Sequence, residues 1–381
     1  MYEDVFVLDS LVHALNWTEE NWADRTACKA SCDAAAFTAA NHGHPAYDMP
    51  PELFLRDWTP EDSANLLFRE STTSVGVFNP QPLFVFKDGQ TSVEKAVEAV
   101  TKYPSRFIGS YAAIDPLRDG WRTHLAEQIA ELRPLGIKVY PASWQEQGMR
   151  TWALNDPKVA FPLFEFALEH GIRHIAVHKA LPIGPMEYRG AFGPADVEGA
   201  AAHFPEIDFE VVHGGMSFVE ETAWLLAKFP NVYINLENMN IVVARRPRTF
   251  ARLLLGLLHV GGNALYDRIQ WGTGTFQFHP RRCIEAFLDF EFPDDLLEDT
   301  GLYHPVEQIT LERKRDILAR NFARRHDLDL DRLRQGIAGD EFARLPGEPL
   351  PAPYSTLSWL SPDVHAATFA PLEEPATASA P

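Results

Sequence analysis

Four short runs set groups able to bind a cation or move a proton at the ends of compact apolar segments: Asp9-Ser10-Leu11-Val12-His13, Gly136-Ile137-Lys138, Val177-His178-Lys179 and Val212-His213-Gly214-Gly215. A single histidine in such a place ordinarily makes a structural hydrogen bond. Three at the ends of different strands change the balance, because neutral imidazoles arriving from three directions satisfy a divalent ion and leave one position for water. His13, His178 and His213 are therefore the expected metal ligands, with zinc the first candidate. His213 serves equally as a catalytic acid or base, and Lys138 is the second catalytic candidate. Lys138 and Lys179 offer a charge to a substrate carboxylate or to an ordinary buried ion pair. Asp9, if it lies beneath His13, would orient that ring. Cys28 and Cys32, four apart, share one helical face, where a two-cysteine metal clip competes with plain burial.

These groups need a scaffold that brings strand ends to one place. Short β-branched or aromatic runs recur at Val5–Leu8, Thr73–Val77, Phe107–Ala113, Ile137–Tyr140, His174–Val177, Phe209–Val212, Val232–Leu236 and Arg268–Trp271. Between them lie amphipathic stretches such as Trp121–Leu135, Pro157–His170 and Glu220–Phe229, with apolar residues at three-and-four spacing. Strand and helix in alternation imply parallel βαβ units, and eight of them close a (β/α)8 TIM barrel whose chemistry sits at the strand C-termini. Residues 1–339 are expected to form this barrel. The interval from Asn16 to Phe68 is too long for one βα unit and reads as an insertion over the mouth. After Asp340 the chain turns rich in Pro and Ala yet keeps Tyr354, Leu357, Trp359, Leu360 and Phe369. That tail, 340–381, is too apolar to be a purely solvated segment, and either this barrel or a neighbouring subunit is expected to receive it.

Composition narrows the partners. With 34 Lys and Arg against 53 Asp and Glu, the net charge of −19 disfavours nucleic acid and anionic lipid, both polyanions that need clustered bases. The apolar run from Leu253 to Val260 is far shorter than a bilayer requires and reads as a buried helix. An acidic opening, Met1-Tyr2-Glu3-Asp4, does not look like a secretory signal, and three cysteines, too few for a disulfide framework, suit a reducing cytoplasm. A small-molecule substrate is the remaining expectation.

The motifs, in order, resemble a known family. Asp9-x-Leu11-x-His13 looks like the D-x-H-x-H opening of the amidohydrolase superfamily, especially its amidohydrolase-related branch of hydrolases and decarboxylases. The similarity runs on through Gly136-Ile137-Lys138, His178, His213-Gly214-Gly215, Phe229-Pro230-Asn231-Val232-Tyr233, Trp271-Gly272-Thr273-Gly274 and the closing helix around Asn321-Phe322-Ala323. Two departures stand out: Leu11 occupies the place of the first histidine, and Gly274 that of the strand-eight aspartate. A hydrocarbon binds no cation and glycine supplies no base, so the resemblance implies a reduced, mononuclear site. Glu237 and His279 are the candidate replacement ligands, each with an ordinary structural hydrogen bond as its alternative. In some members a lysine at the place of Lys138 is carboxylated to bridge two metals, which these departures disfavour.

Three functions follow from the resemblance. The leading one is the divergent half of a hetero-oligomeric metalloenzyme, paired with a homologous barrel subunit and acting on a small organic or amino acid. The Val12-His13-Ala14-Leu15-Asn16 run resembles subunits of two-subunit non-haem manganese/iron monooxygenases that hydroxylate small amino acids such as 2-aminoisobutyrate. There, oxygen chemistry with manganese or iron would belong mainly to the partner. The alternatives are a stand-alone or homo-oligomeric metal-dependent hydrolase or decarboxylase with a rearranged site, and a metal-free pseudoenzyme used for assembly.

Overall fold

The structure, a computed structural model, describes residues 4–145, 148–181, 190–275, 277–345 and 347–372. Among the described residues there are ten strands, with helices in most of the intervals between them: β1 (Leu8–Val12), β2 (Val75–Phe78), β3 (Phe107–Ala113), β4 (Gly136–Val139), β5 (Ala142–Gln145), β6 (Gly148–Thr151), β7 (His174–His178), β8 (Asp208–Val212), β9 (Val232–Asn235) and β10 (Ile269–Gln270). Eight pair in parallel in the order β1-β2-β3-β4-β7-β8-β9-β10. Ser10 N donates to the Trp271 carbonyl at 3.1 Å and Gly274 N to that of Leu11 at 2.8 Å, joining the two edges. The expected TIM barrel is therefore present.

Some boundaries move. The first ladder runs Leu8–Val12 rather than Val5–Leu8, because Val5, Phe6 and Val7 bury their side chains in the approach to the sheet while Asp9 and Ser10 bond inside the barrel. Strands β5 and β6 form an antiparallel hairpin that the strand count did not anticipate. Helices at Trp121–Leu132, Ala160–Glu169 and Val219–Lys228 sit within two or three residues of the expected stretches. The apolar run near Leu253 is the buried side of helix Pro247–Leu258, and among the described residues no helix is long and apolar enough to cross a membrane.

The interval after β1 folds over the mouth. Its main helix, Arg25–Ala39, starts where the Asp24 carboxylate accepts from Ala27 N at 2.8 Å, an N-cap that satisfies an otherwise orphaned donor. Cys28 and Cys32 lie on its buried face, their thiols turned to the carbonyls of Val85 and Trp17. Burial pushes the Cys32 thiol up to about 12, so it stays protonated and makes a poor metal ligand.

The tail packs on this same chain. Phe342, Tyr354, Leu357, Leu360 and Phe369 share a buried cluster with Trp17, Phe54 and Trp58 of the insertion. Glu70 fastens it: one carboxylate oxygen accepts from Thr356 N and Oγ1, both at 2.7 Å, and the other from Tyr354 N at 2.5 Å and His279 Nε2 at 2.9 Å. Residues 373–381 lie outside the described residues.

Candidate active site

The barrel mouth encloses a cavity of about 230 Å³ lined by His13, Lys138, His178, His213 and Glu237, with Leu11, Tyr140, Val212 and Gly274 among the neighbouring walls. Helix Arg25–Ala39 roofs it through Ser31, Ala34, Ala35 and Thr38, and Trp17 closes one side. Five of the six residues expected to bind metal or do chemistry thus share one space. The sixth, His279, is fully buried against Glu70 in the tail clamp and does not line this cavity.

Hydrogen bonds fix the tautomers. His13 Nδ1 donates to the Asn79 carbonyl at 2.6 Å, so its Nε2 carries the lone pair and accepts from Gln81 Nε2 at 2.7 Å. His178 Nε2 donates to the Leu181 carbonyl at 2.5 Å, leaving Nδ1 to accept from His213 Nε2 at 2.9 Å. His213 Nδ1 bonds Glu237 Oε2. Burial holds His178 and His213 well below the ordinary imidazole range, His13 falls to about 3 for the same reason, and nearby Lys138 adds to each effect. Burial raises Glu237, against the opposing pull of His13, Lys138 and its hydrogen bond from Asn238. The shifts of Glu237 and His213 point the same way, so the shared proton rests on the Glu237 carboxyl. A directed chain results, from Glu237 through His213 and His178 to the Leu181 carbonyl.

Local backbone aims these rings. His213 has φ 70°, Asn238 62° and Ala180 62°, each a non-glycine residue in the left-handed region at the mouth, a conformation that costs on the order of 1–3 kcal/mol and clusters at working sites. Gly214 and Gly215 continue the left-handed turn after His213. A side chain at Gly215 would put Cβ 2.0 Å from Thr222 Oγ1, so only glycine fits there.

Gly274 has φ 58°, and a Cβ built on it would lie 2.2 Å from Glu237 Oε1. The Glu237 carboxylate, brought over from the loop after β9, thus fills the space into which a side chain at position 274 would project. Asp9 does not reach His13. It accepts from Leu11 N at 3.1 Å and Thr273 N at 3.0 Å and bonds Thr273 Oγ1, because the β1–β10 seam turns its carboxyl toward the neighbouring strand. Lys179 is a structural cation, paired at 2.6 Å with Asp196.

The amidohydrolase sequence profile matches residues 55–325, well over half of the chain. The chain belongs to the amidohydrolase family. Similar solved structures show the same fold at low identity. A TIM-barrel protein from Bordetella bronchiseptica superposes with TM-score 0.51 at 15% identity, covering 88% of this amidohydrolase and 100% of that chain. A 2,6-dihydroxybenzoate decarboxylase from Rhizobium gives 0.51 at 15%, covering 86% and 99%. A 5-carboxyvanillate decarboxylase from Sphingomonas paucimobilis gives 0.51 at 13%, covering 85% and 99%. No curated protein matches by sequence.

The donor chemistry of this amidohydrolase suits a single cation. His13 and His178 each donate one ring N–H to a backbone carbonyl and hold a lone pair on the other nitrogen, the outer support that metal-binding histidines ordinarily have. His178 and His213 bond each other directly at 2.9 Å. Among the described residues no three His, Cys, Asp or Glu side chains stand ready as a ligand group. Gln81, on the cavity wall and bonded to His13, was missed in the sequence; its one signal is an Asn79-Pro80-Gln81 run directly after a strand.

Proposed function

We propose that this chain holds one divalent cation, zinc first among the candidates, and works as the divergent half of a two-subunit metalloenzyme acting on a small organic or amino acid. One observation carries the reading. His13, His178 and His213 all line one cavity, each with one ring nitrogen held by the Asn79 carbonyl, the Leu181 carbonyl or Glu237, whereas Leu11 and Gly274 offer a second cation nothing. A bound cation would supply Lewis-acid charge and a water of lowered pKa. The protein supplies the rest: the Asn79 and Leu181 carbonyls hold two tautomers, and His213 would free Nε2 when the Glu237 proton passes to Nδ1 and the Nε2 proton is released to solvent, which leaves an ionised Glu237 accepting from Nδ1–H. Oxygen chemistry of the manganese/iron monooxygenase kind belongs, on this reading, to a homologous partner barrel. Three free, buried cysteines suit a cytoplasmic setting.

A second reading, a stand-alone decarboxylase or hydrolase, draws on the Glu237–His213 pair, a protonated carboxyl on the cavity wall able to act as a general acid. Elemental analysis and turnover of the chain, expressed alone and with a homologous barrel, separate the readings. One equivalent of metal with turnover only in the pair supports the first, and turnover alone supports the second. Absence of metal in both preparations defeats both and leaves an assembly role. His178→Ala should lose most of the metal while keeping the fold, and unchanged metal content removes His178 from the ligand set.

A further inference from the structure

The Gln81 side chain, on the cavity wall, is only half satisfied. Its Nε2 donates at 2.7 Å to His13 Nε2, the lone pair that a cation on His13 would use, while its Oε1 is buried with no partner among the described residues. Nitrogen has to face the ring: His13 Nδ1 gives its hydrogen to the Asn79 carbonyl, so an amide oxygen would meet a bare lone pair on Nε2. An interior acceptor left without a donor is costly, and such atoms are rare in folded chains. A second one stands nearby. Thr91 faces Gln81 across an antiparallel bridge, and its Oγ1 is also buried without a partner; side chains set opposite in this way lie within reach of each other. The backbone itself is pinned, with Gln81 N donating to the Thr91 carbonyl at 2.9 Å and Gln90 N to that of Gln81 at 3.1 Å. Any rearrangement is left to the side-chain amide.

We infer that Gln81 is itself a ligand of the cation, through Oε1, beside His13 Nε2. The amide turns over about its last bond, oxygen takes the place of nitrogen on the side of His13, and the displaced N–H group is offered to Thr91 Oγ1. One movement thus gives both unpartnered oxygens a role. The movement is small: two ligands of a tetrahedral ion with bonds of about 2.0–2.1 Å stand roughly 3.3 Å apart, so the present 2.7 Å has to open by only about 0.6 Å. Leu11 leaves His13 without an imidazole companion on β1, and Gln81 brings a donor from the loop after β2 instead. The inference rests on the one-cation reading and adds an uncharged oxygen to a set otherwise built on imidazole.

The test uses the full chain, stripped of metal and titrated with zinc and with manganese against a competing chelator, as the natural protein, Gln81→Leu and Gln81→Glu. Leucine removes both the oxygen and the N–H that occupies His13, so the two roles open to Gln81 have opposite signs. Loss of a ligand weakens binding of the ion the natural protein takes up by at least about tenfold, the scale on which even the outer partners of metal ligands act. Removal of a mere plug on His13 strengthens it. Glutamate keeps an oxygen at that place and adds charge, and it should bind the ion at least as tightly as the natural protein. The inference is overturned if Gln81→Leu binds as tightly as the natural protein or more so, or if Gln81→Glu binds as weakly as Gln81→Leu. Either of these leaves the one-cation reading standing, whereas a natural protein that takes up neither ion overturns both. Metal-free Gln81→Leu should melt close to the natural protein, because the bonds that pin the segment are backbone ones. Should it melt early, Gln81→Glu decides alone: binding at or above the natural affinity supports the ligand, and weaker binding overturns it.

Discussion

At the scale of single residues, Glu237 and Gly274 behave as one unit. Because Gly274 is left-handed and its absent Cβ would meet Glu237 Oε1 at 2.2 Å, Gly274→Ala should destabilise the protein by about 2–4 kcal/mol, combining backbone strain with overpacking. In a Glu237→Ala background the overpacking disappears and about 1 kcal/mol of strain remains. Urea unfolding of the four proteins reads the coupling directly, and additive costs would show that Glu237 does not fill that space. The sequence exposed half of this. Leu11 and Gly274 were readable as gaps and Glu237 as a nearby acid, since all three sit at strand ends. His279 also looked available, but its partner Glu70 lies 209 residues away in the chain, a distance no spacing argument crosses. Asp9 likewise went to Thr273 because register across the closing seam, rather than local spacing, decides which neighbour a strand residue faces.

At the scale of elements, the strand–helix rhythm was legible because buried parallel strands are short apolar runs and the helices carry one apolar face. β3 matched to the residue. The hairpin β5–β6 was not legible, since Ala142–Gln145 and Gly148–Thr151 are only partly buried and alternate weakly. The tail's destination was also open until Glu70 appeared beneath it. That carboxylate accepts four hydrogen bonds, two from backbone N–H groups of the tail, one from Thr356 Oγ1 and one from His279. Glu70→Ala would leave these donors buried without an acceptor, at a cost of about 3 kcal/mol or more. Because Trp359 also reaches back to Asp62 and stacks under Arg56, the loosened segment should detach as a unit. Limited trypsin digestion should then cut Glu70→Ala at Arg344 well before the barrel, whereas the natural protein resists there. Equal protection of the two proteins would mean that the apolar contacts hold the tail without the clamp.

At the scale of the whole molecule, a strongly acidic surface encloses a barrel interior whose acids are individually managed: Glu210 by Arg325, Glu237 by its shared proton and Asp9 by three donors at the seam that closes the barrel. Burial raises Asp9 from 3.8 to about 7, and its hydrogen bonds with Thr273 and Leu11 offset only part of that. The sign follows from proton uptake. Between 3.8 and about 7 the folded state holds a proton on Asp9 that the unfolded state has released, so this group's stabilisation is full below the lower value and lost as pH climbs through the upper one. Asp9→Asn keeps an acceptor for the two N–H groups, reverses the bond in which Thr273 Oγ1 donates to the carboxylate just as protonation of the carboxyl would, and does not titrate. Unfolding free energies of the two proteins, compared from pH 5 to 8 by urea titration, cancel the contributions of every other acid. The natural protein should lose on the order of 1.4 kcal/mol per pH unit relative to Asp9→Asn up to about pH 7, then run parallel to it. A difference that stays flat from pH 5 to 7 would mean that Asp9 is ionised throughout, and the barrel seam would then be held by a charged carboxylate rather than a neutral one.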